Sequence, residues 1–169
     1  MAYWKKHLGP TVRDIFFNGL VAGGWYPRVL RSRIMRMLGH QTAPSASIAP
    51  GCFVGARTGL TIGENTFINY RCFFELSAPI TIGSEVAVGF GTQFVTTSHR
   101  IGPPTRRAGE AESRPITVGD GCWIGSGVQV LPGVSIAPGV IVAAGSVVTR
   151  DLETPALYGG VPARKIRDL

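Results

Sequence analysis

With 169 residues, 44% of them hydrophobic and only 16% charged, the chain has the apolar content of one folded domain and lacks the high charge that disorder requires. The three cysteines, Cys52, Cys72 and Cys122, are odd in number and form no CxxC pair, which argues against a disulfide framework and a cysteine-bound zinc. A net charge of +7 suits nucleic acid, an anionic surface or a phosphorylated ligand, but no recognised motif or aromatic platform supports nucleic acid, and no such partner is expected.

The first 40 residues hold Lys5, Lys6, Arg13, Arg28, Arg31, Arg33 and Arg36. The apolar stretch from Ile15 to Tyr26 is broken by Gly19, Gly23 and Gly24 and falls short of the roughly 20 residues that span a bilayer. Arginines follow it and no convincing small-residue cleavage site does, so it reads as part of the folded protein, and a cytoplasmic location is expected. Arg28 to Leu38 reads as an amphipathic basic helix with Val29, Leu30, Ile34, Met37 and Leu38 on one side, closed by Gly39. Residues 1–44 are expected to form a helical cap over the open end of the following unit. Contact with a membrane surface through residues 1–38 is the competing role.

From residue 45 the chain has period six. Aliphatic or aromatic residues recur at Ile48, Val54 and Leu60, restart at Ile62, Ile68, Phe74 and Ile80, and restart again at Ile82, Val88 and Phe94. Four periods later the register resumes as Val118, Ile124, Val130, Ile136, Val142 and Val148. Four residues after most of these comes a small or β-branched residue, and all three cysteines fall in that second column, so packing is their expected role. Glycine often follows the aliphatic position directly, as at Gly55, Gly63, Gly83, Gly89, Gly119 and Gly125, and Gly or Asn is expected at turn positions where positive φ is needed. Period six is neither helical nor a simple strand alternation. It describes a short strand and a tight turn, three of which close one triangular coil: an all-β, left-handed parallel β-helix over residues 45–169. The two-residue slips at 60–62 and 80–82 read as bulges at corners. Residues 96–116, with Gly102-Pro103-Pro104, break the pattern and are expected to leave the coil as an external loop, while 152–169 form a C-terminal tail.

From about Ile62 to Leu169, roughly two thirds of the chain, the sequence resembles the maltose and galactoside O-acetyltransferase branch of the hexapeptide-repeat acyltransferases. It looks closer still to O-acetyltransferases of extracellular-polysaccharide and secondary-metabolite clusters. The segments that carry the resemblance are INYRCFFE at 68–75, TTSHR at 96–100, PITVGDGCWIGS at 115–126, VLPGV at 130–134, AAGSVVTRD at 143–151 and YGGVPARKI at 158–166. The resemblance implies a homotrimer with active sites between subunits, acetyl-coenzyme A as donor and no metal. It implies a catalytic His99, an acceptor-contacting Asn69, a backbone N–H at Ser126 beside Trp123, and coenzyme A contacts at Ala144, Thr149, Arg164 and Arg167. An acidic acceptor-binding residue of the sugar enzymes falls at Ser77 here, which leaves the acceptor open.

The residue chemistry agrees with an acyl transfer. A thiolate departs readily, so the demanding step is removing the acceptor's proton, and an imidazole, with an ordinary pKa near 6.5, suits that task. Of three histidines only His99 stands at the junction of coil and loop; His7 and His40 lie in the N-terminal part. A backbone N–H at Gly125–Ser126 can receive the oxyanion. Asn69 can hold the acceptor hydroxyl or serve as a turn residue at positive φ. Glu75 can orient His99 or the acceptor, or stand as an exposed carboxylate. Trp123 can line the channel for the pantetheine arm or pack on the next subunit. Arg164, Lys165 and Arg167 can meet phosphates. A γ-type carbonic anhydrase on the same scaffold needs three histidine ligands, and the coil has one. A non-catalytic trimeric acyl-coenzyme A-binding protein and an N-acyltransferase acting on an amino sugar are the remaining alternatives.

Overall fold

The computed structural model describes residues 11, 14–25 and 27–169; Lys5, Lys6, His7, Arg13 and Tyr26 lie outside them. The chain winds as a left-handed parallel β-helix with three faces. Its first face stacks Gln41–Thr42, Leu60–Ile62, Ile80–Ile82, Ile116–Val118 and Ser135–Ile136. The second stacks Ser47–Ile48, Phe67–Ile68, Ala87–Val88, Trp123–Ile124, Ile141–Val142 and Ala156–Gly159, and Arg164–Asp168 turns back antiparallel on the last of these. The third stacks Phe53–Val54, Phe73–Phe74, Gln93–Phe94, Gln129–Val130 and Val147–Val148.

The period-six column is the core. Ile68, Val88, Ile124 and Val142 on the second face, Phe74, Phe94, Val130 and Val148 on the third, and Ile80, Val118 and Ile136 on the first are all buried in one apolar cluster, together with Cys52, Cys72 and Cys122. Phe74 and Phe94 stack inside the coil with ring centroids 5.2 Å apart. The slips at 60–62 and 80–82 are three-residue strands in which Leu60 and Ile62, and Ile80 and Ile82, all point inward around an outward threonine. Each slip adds two residues to its coil, so Gln41 faces Thr61, and Thr61 faces Thr81, 20 residues on, whereas Thr117 faces Ser135 after 18.

The glycine after each aliphatic residue serves close approach, not positive φ. A Cβ on Gly125 would lie 2.5 Å from the Ala144 nitrogen of the next coil, and one on Gly89 would lie 2.4 Å from that of Ser126. Positive φ occurs two residues later, at Gly127 (67°) and Gly91 (68°), and at Asn65 and Glu85 in equivalent turns.

The segment 96–116 is a β-hairpin. Thr97–Ile101 pairs antiparallel with Ala108–Ser113, and Ile116 is already back in the core. At the other end, a π-helical segment Asp14–Val21 and an α-helix α1 (Arg28–Met37) lie over the first coil, with Gly39 at φ 114° ending the helix. The buried side of α1 differs from the expected one: Arg31, Ser32 and Met35 are buried, with Ile34 and Leu38 packed beside them, while Val29, Leu30 and Met37 are exposed. The open end of a β-helix presents backbone acceptors, which an aliphatic stripe cannot satisfy. Arg31 does so for the first coil, donating to the Ile48 carbonyl (2.5 Å), and joins the N-terminal segment to it by donating also to the carbonyls of Val21 (2.8 Å) and Gly23 (2.5 Å). Among the described residues no helix is long and apolar enough to cross a membrane.

Candidate active site

The residues singled out in the sequence gather at two corners of the prism and along one face. The first corner joins the second and third faces. Backbone bonds from Asn69 to Val88 (3.0 Å), Gly89 to Ile124 (2.7 Å) and Gly125 to Val142 (2.8 Å) stack Asn69, Gly89, Gly125 and Ala143 a coil apart. The next residues, Tyr70, Phe90, Ser126 and Ala144, form a parallel column, tied by the N–H groups of Gly91, Gly127 and Gly145 donating to the carbonyls of Tyr70, Phe90 and Ser126. The N–H groups of Ser126 and Ala144 donate to no backbone acceptor among the described residues. The glycines beneath them leave those amides uncovered by side chains, an arrangement able to receive an anionic oxygen.

Asn69 is half-buried and not at positive φ, so the turn-residue reading falls away for it. Its Oδ1 accepts the Tyr70 N–H at 2.9 Å, which fixes the amide and leaves Nδ2 without a partner among the described residues. The thiols of Cys52 and Cys72 both donate to its carbonyl at 3.3 Å, so the core cysteines brace this corner from within. Arg28 reaches over from α1: its guanidinium stands 5.3 Å from the Phe67 ring and 5.2 Å from the Tyr70 ring, and it donates to the Tyr70 hydroxyl at 2.8 Å. Nothing in the repeat pattern distinguishes Arg28 from the other arginines of its helix.

Beside this corner runs the outward row of the second face. Register aligns Phe67, Ala87, Trp123, Ile141 and Leu157, and Leu157 stands opposite Arg167 of the returning strand. Trp123 is 59% exposed. The row is therefore apolar over most of its length and cationic at one end. Below it, a cavity of about 340 Å³ is lined by Arg150, Asp151, Leu152, Glu153, Thr154, Tyr158, Ala163, Arg164 and Lys165. Lys165 is paired with Asp168 at 2.5 Å, whereas Arg164 donates to the Ala163 carbonyl and Arg167 to that of Asp168. Arg150 is the lining cation that the sequence does not flag; the signal available was only its place after Thr149 in VTRD.

The second corner joins the third and first faces. Its ladder stacks Gly55, Glu75, Val95, Leu131 and, by register, Thr149. The hairpin leaves from here, and His99, opposite Ala111, is exposed on it. Glu75 is neither free nor joined to His99. Its carboxylate accepts the Thr96 N–H at 3.0 Å, the Thr97 hydroxyl at 3.0 Å, and the hydroxyls of Thr96 and Ser77. Desolvation pushes its pKa up, but the hydrogen bonds from Ser77, Thr96 and Thr97 outweigh that and hold the carboxyl below the usual range. Within one chain, then, Asn69, Ser126 and Ala144 share one corner, while His99, Glu75, Ser77 and Thr149 belong to another.

Comparison with known proteins places this geometry. Residues 115–150 match the family model "Bacterial transferase hexapeptide (six repeats)". The chain is 52% identical over 110 residues to the sophorolipid acetyltransferase of Starmerella bombicola, a match covering 65% of this chain and 42% of that protein. It is 30% identical over 139 residues to the galactoside O-acetyltransferase of Escherichia coli, covering 82% of this chain and 68% of the relative. A hexapeptide-repeat-containing acetyltransferase from Vibrio cholerae superposes with a TM-score of 0.83 at 32% identity, over 98% of this chain and 93% of that one. That protein has also been solved with acetyl-coenzyme A, a structure matching at a TM-score of 0.71 and 36% identity, over 89% of this chain and 82% of that one. The period-six core, the stacked turn amides and the extent of these matches together establish that the chain belongs to the hexapeptide-repeat acetyltransferases.

Proposed function

We propose that this acyltransferase moves an acetyl group from acetyl-coenzyme A to a hydroxyl of a sugar, polysaccharide precursor or secondary metabolite, with His99 as general base. The observation that carries the reading is the outward row of the second face, apolar through Trp123, Ile141 and Leu157 and ending at Arg167. Such a strip suits a pantetheine arm along its length and phosphates at its cationic end, with Arg164 as a further donor contact and Thr149, which lies on the other corner, contributed by a neighbouring copy. On the corner beside the Trp123 and Ile141 rungs of the strip, the amides of Ser126 and Ala144 suit the oxygen of the thioester as it gains charge. The Nδ2 of Asn69, on the same corner and without a partner among the described residues, suits the oxygen of an acceptor hydroxyl.

In this mechanism the acceptor oxygen attacks the thioester carbonyl carbon while His99 takes its proton. The tetrahedral intermediate collapses with cleavage of the C–S bond, and the coenzyme A thiolate takes the proton back from the imidazolium. Because His99 leaves from a different corner from Asn69 and Ser126, the reading needs a second copy whose hairpin meets the first copy's corner. A homotrimer with three sites between neighbours supplies this. The polar outward row of the first face, Gln41, Thr61, Thr81, Thr117 and Ser135, contrasts with the aromatic exposure at Tyr70, Phe90 and Trp123, which favours association through the second face and its corner.

Free thiol release from acetyl-coenzyme A, followed across neutral sugars, glycolipids and amino sugars, tests the proposal. Release that depends on a hydroxyl acceptor is expected. Release with amino sugars alone would make the protein an N-acyltransferase. Binding of the donor with no release on any acceptor would leave a binding protein.

A further inference from the structure

A polar cluster lies at the root of the hairpin that bears His99. Glu75 Oε2 accepts the backbone N–H and the hydroxyl of Thr96, and Oε1 accepts the hydroxyls of Thr97 and Ser77. Thr96 is fully buried, and its hydroxyl also accepts the Ala78 N–H at 3.2 Å. Thr97 and Ser113 stand opposite each other where the two hairpin strands begin, and their hydroxyls are 2.9 Å apart. Glu75, Thr97 and Ser113 thus form a continuous chain from the coil across both strands. Thr97 and His99 fall on the same side of their strand, since side chains alternate.

A second observation meets the first. Leu76, immediately after Glu75, is held at φ 64° and buried. A bulky side chain in the left-handed region is strained and persists only where its surroundings fix it. The strained turn is what brings the Ser77 hydroxyl back onto Glu75, two residues earlier.

We infer that Glu75 is a positioning residue, which sets the angle at which the hairpin leaves the coil and thereby the placement of His99. The inference rests on His99 being the base. A carboxylate is suited to the task because it only accepts, and here four donors converge on two oxygens. An amide must present donors on one side, so a glutamine would turn the Thr97 and Ser77 hydroxyls around or leave the Thr96 N–H unpaired. Loss of the carboxylate should leave the donor strip untouched, because that strip lies on another face.

Glu75→Gln, Thr97→Val and Thr97→Ser test this in the full chain. For Glu75→Gln, hydrogen exchange of the amides in 97–113 should accelerate and kcat should fall about 10- to 100-fold, the scale expected for a misplacement of about 1 Å. Calorimetric binding of acetyl-coenzyme A and the acid limb of the kcat/KM profile should stay as in the wild type. Thr97→Val should reproduce part of the loss and Thr97→Ser should restore it; this pair keeps the test alive if Glu75→Gln does not fold. Wild-type exchange and kcat in Glu75→Gln would overturn the inference. So would loss of the acid limb with unchanged hairpin exchange, which would make Glu75 the base. If His99→Ala stays active while Glu75→Gln still loosens the hairpin, the base assignment fails and the anchoring contact stands.

Discussion

His40 is sealed under the N-terminal cap, with the Phe17 ring edge-on at 5.5 Å. Neither ring nitrogen has a hydrogen-bond partner among the described residues. Burial pushes its pKa down from 6.5 to about 4, and the Ala56 backbone pulls weakly the other way without completing a hydrogen bond. The folded value lies below the unfolded one, so above pH 6.5 both states are neutral at this residue and it adds no pH dependence. Between pH 6.5 and 4 the unfolded chain binds a proton that the folded one refuses, and stability falls by on the order of 2–3 kcal/mol. Urea midpoints measured at pH 7, 5.5 and 4.5 should therefore decline less steeply for His40→Leu than for the wild type, and an equal acid dependence of the two would contradict this role of His40. At this scale the cysteines were legible, because a fixed offset from the aliphatic column places them inside whatever their chemistry. Arg31 was not. Hydrophobic periodicity ranks an arginine as outward, and the carbonyls of Val21, Gly23 and Ile48 that draw it inward come together only once the N-terminal segment packs on the first coil.

Among the elements, the coil strands were readable because each carries one buried residue at a constant spacing. The hairpin was not. Thr97–Ile101 and Ala108–Ser113 are exposed almost throughout, so they show no apolar alternation, and Gly102-Pro103-Pro104 between them suggests only an irregular loop. The tail was legible as a basic segment, but not as a strand that turns back on Ala156–Gly159 and brings Arg167 to the end of the Trp123 row. That placement makes a specific demand on donor binding. Replacing both Arg164 and Arg167 by alanine should raise the KM for acetyl-coenzyme A with kcat nearly unchanged, since the phosphates are bound alike in ground and transition states. A charge-assisted hydrogen bond is worth about 1.5–3 kcal/mol, and these exposed side chains should fall at or below the lower end. An unchanged donor KM would show the tail to be solvated.

For the whole molecule, the two-corner division of Asn69 and His99 means that the proposed mechanism requires assembly. Static light scattering across micromolar concentrations should give three times the chain mass of 18.0 kDa. A monomer mass would remove the shared site and with it the proposed mechanism. Which corner Asn69 and Glu75 occupy follows from the register, and the register was visible in the sequence; that the proposed site needs a second copy came from the resemblance, and the separation of the two corners is what the proposal adds to it. The most direct test of the central claim is kcat of purified His99→Ala with an acceptor confirmed by thiol release, set beside calorimetric binding of acetyl-coenzyme A. His99 is exposed on the hairpin and no hydrogen bond joins it to Glu75, so the substitution removes little packing. Unchanged donor affinity, an intact trimer and a kcat lowered by about 10²–10⁴, the usual cost of losing a general base, are expected. A variant that binds donor normally and keeps more than about a tenth of wild-type kcat, well above that range, would contradict this role of His99.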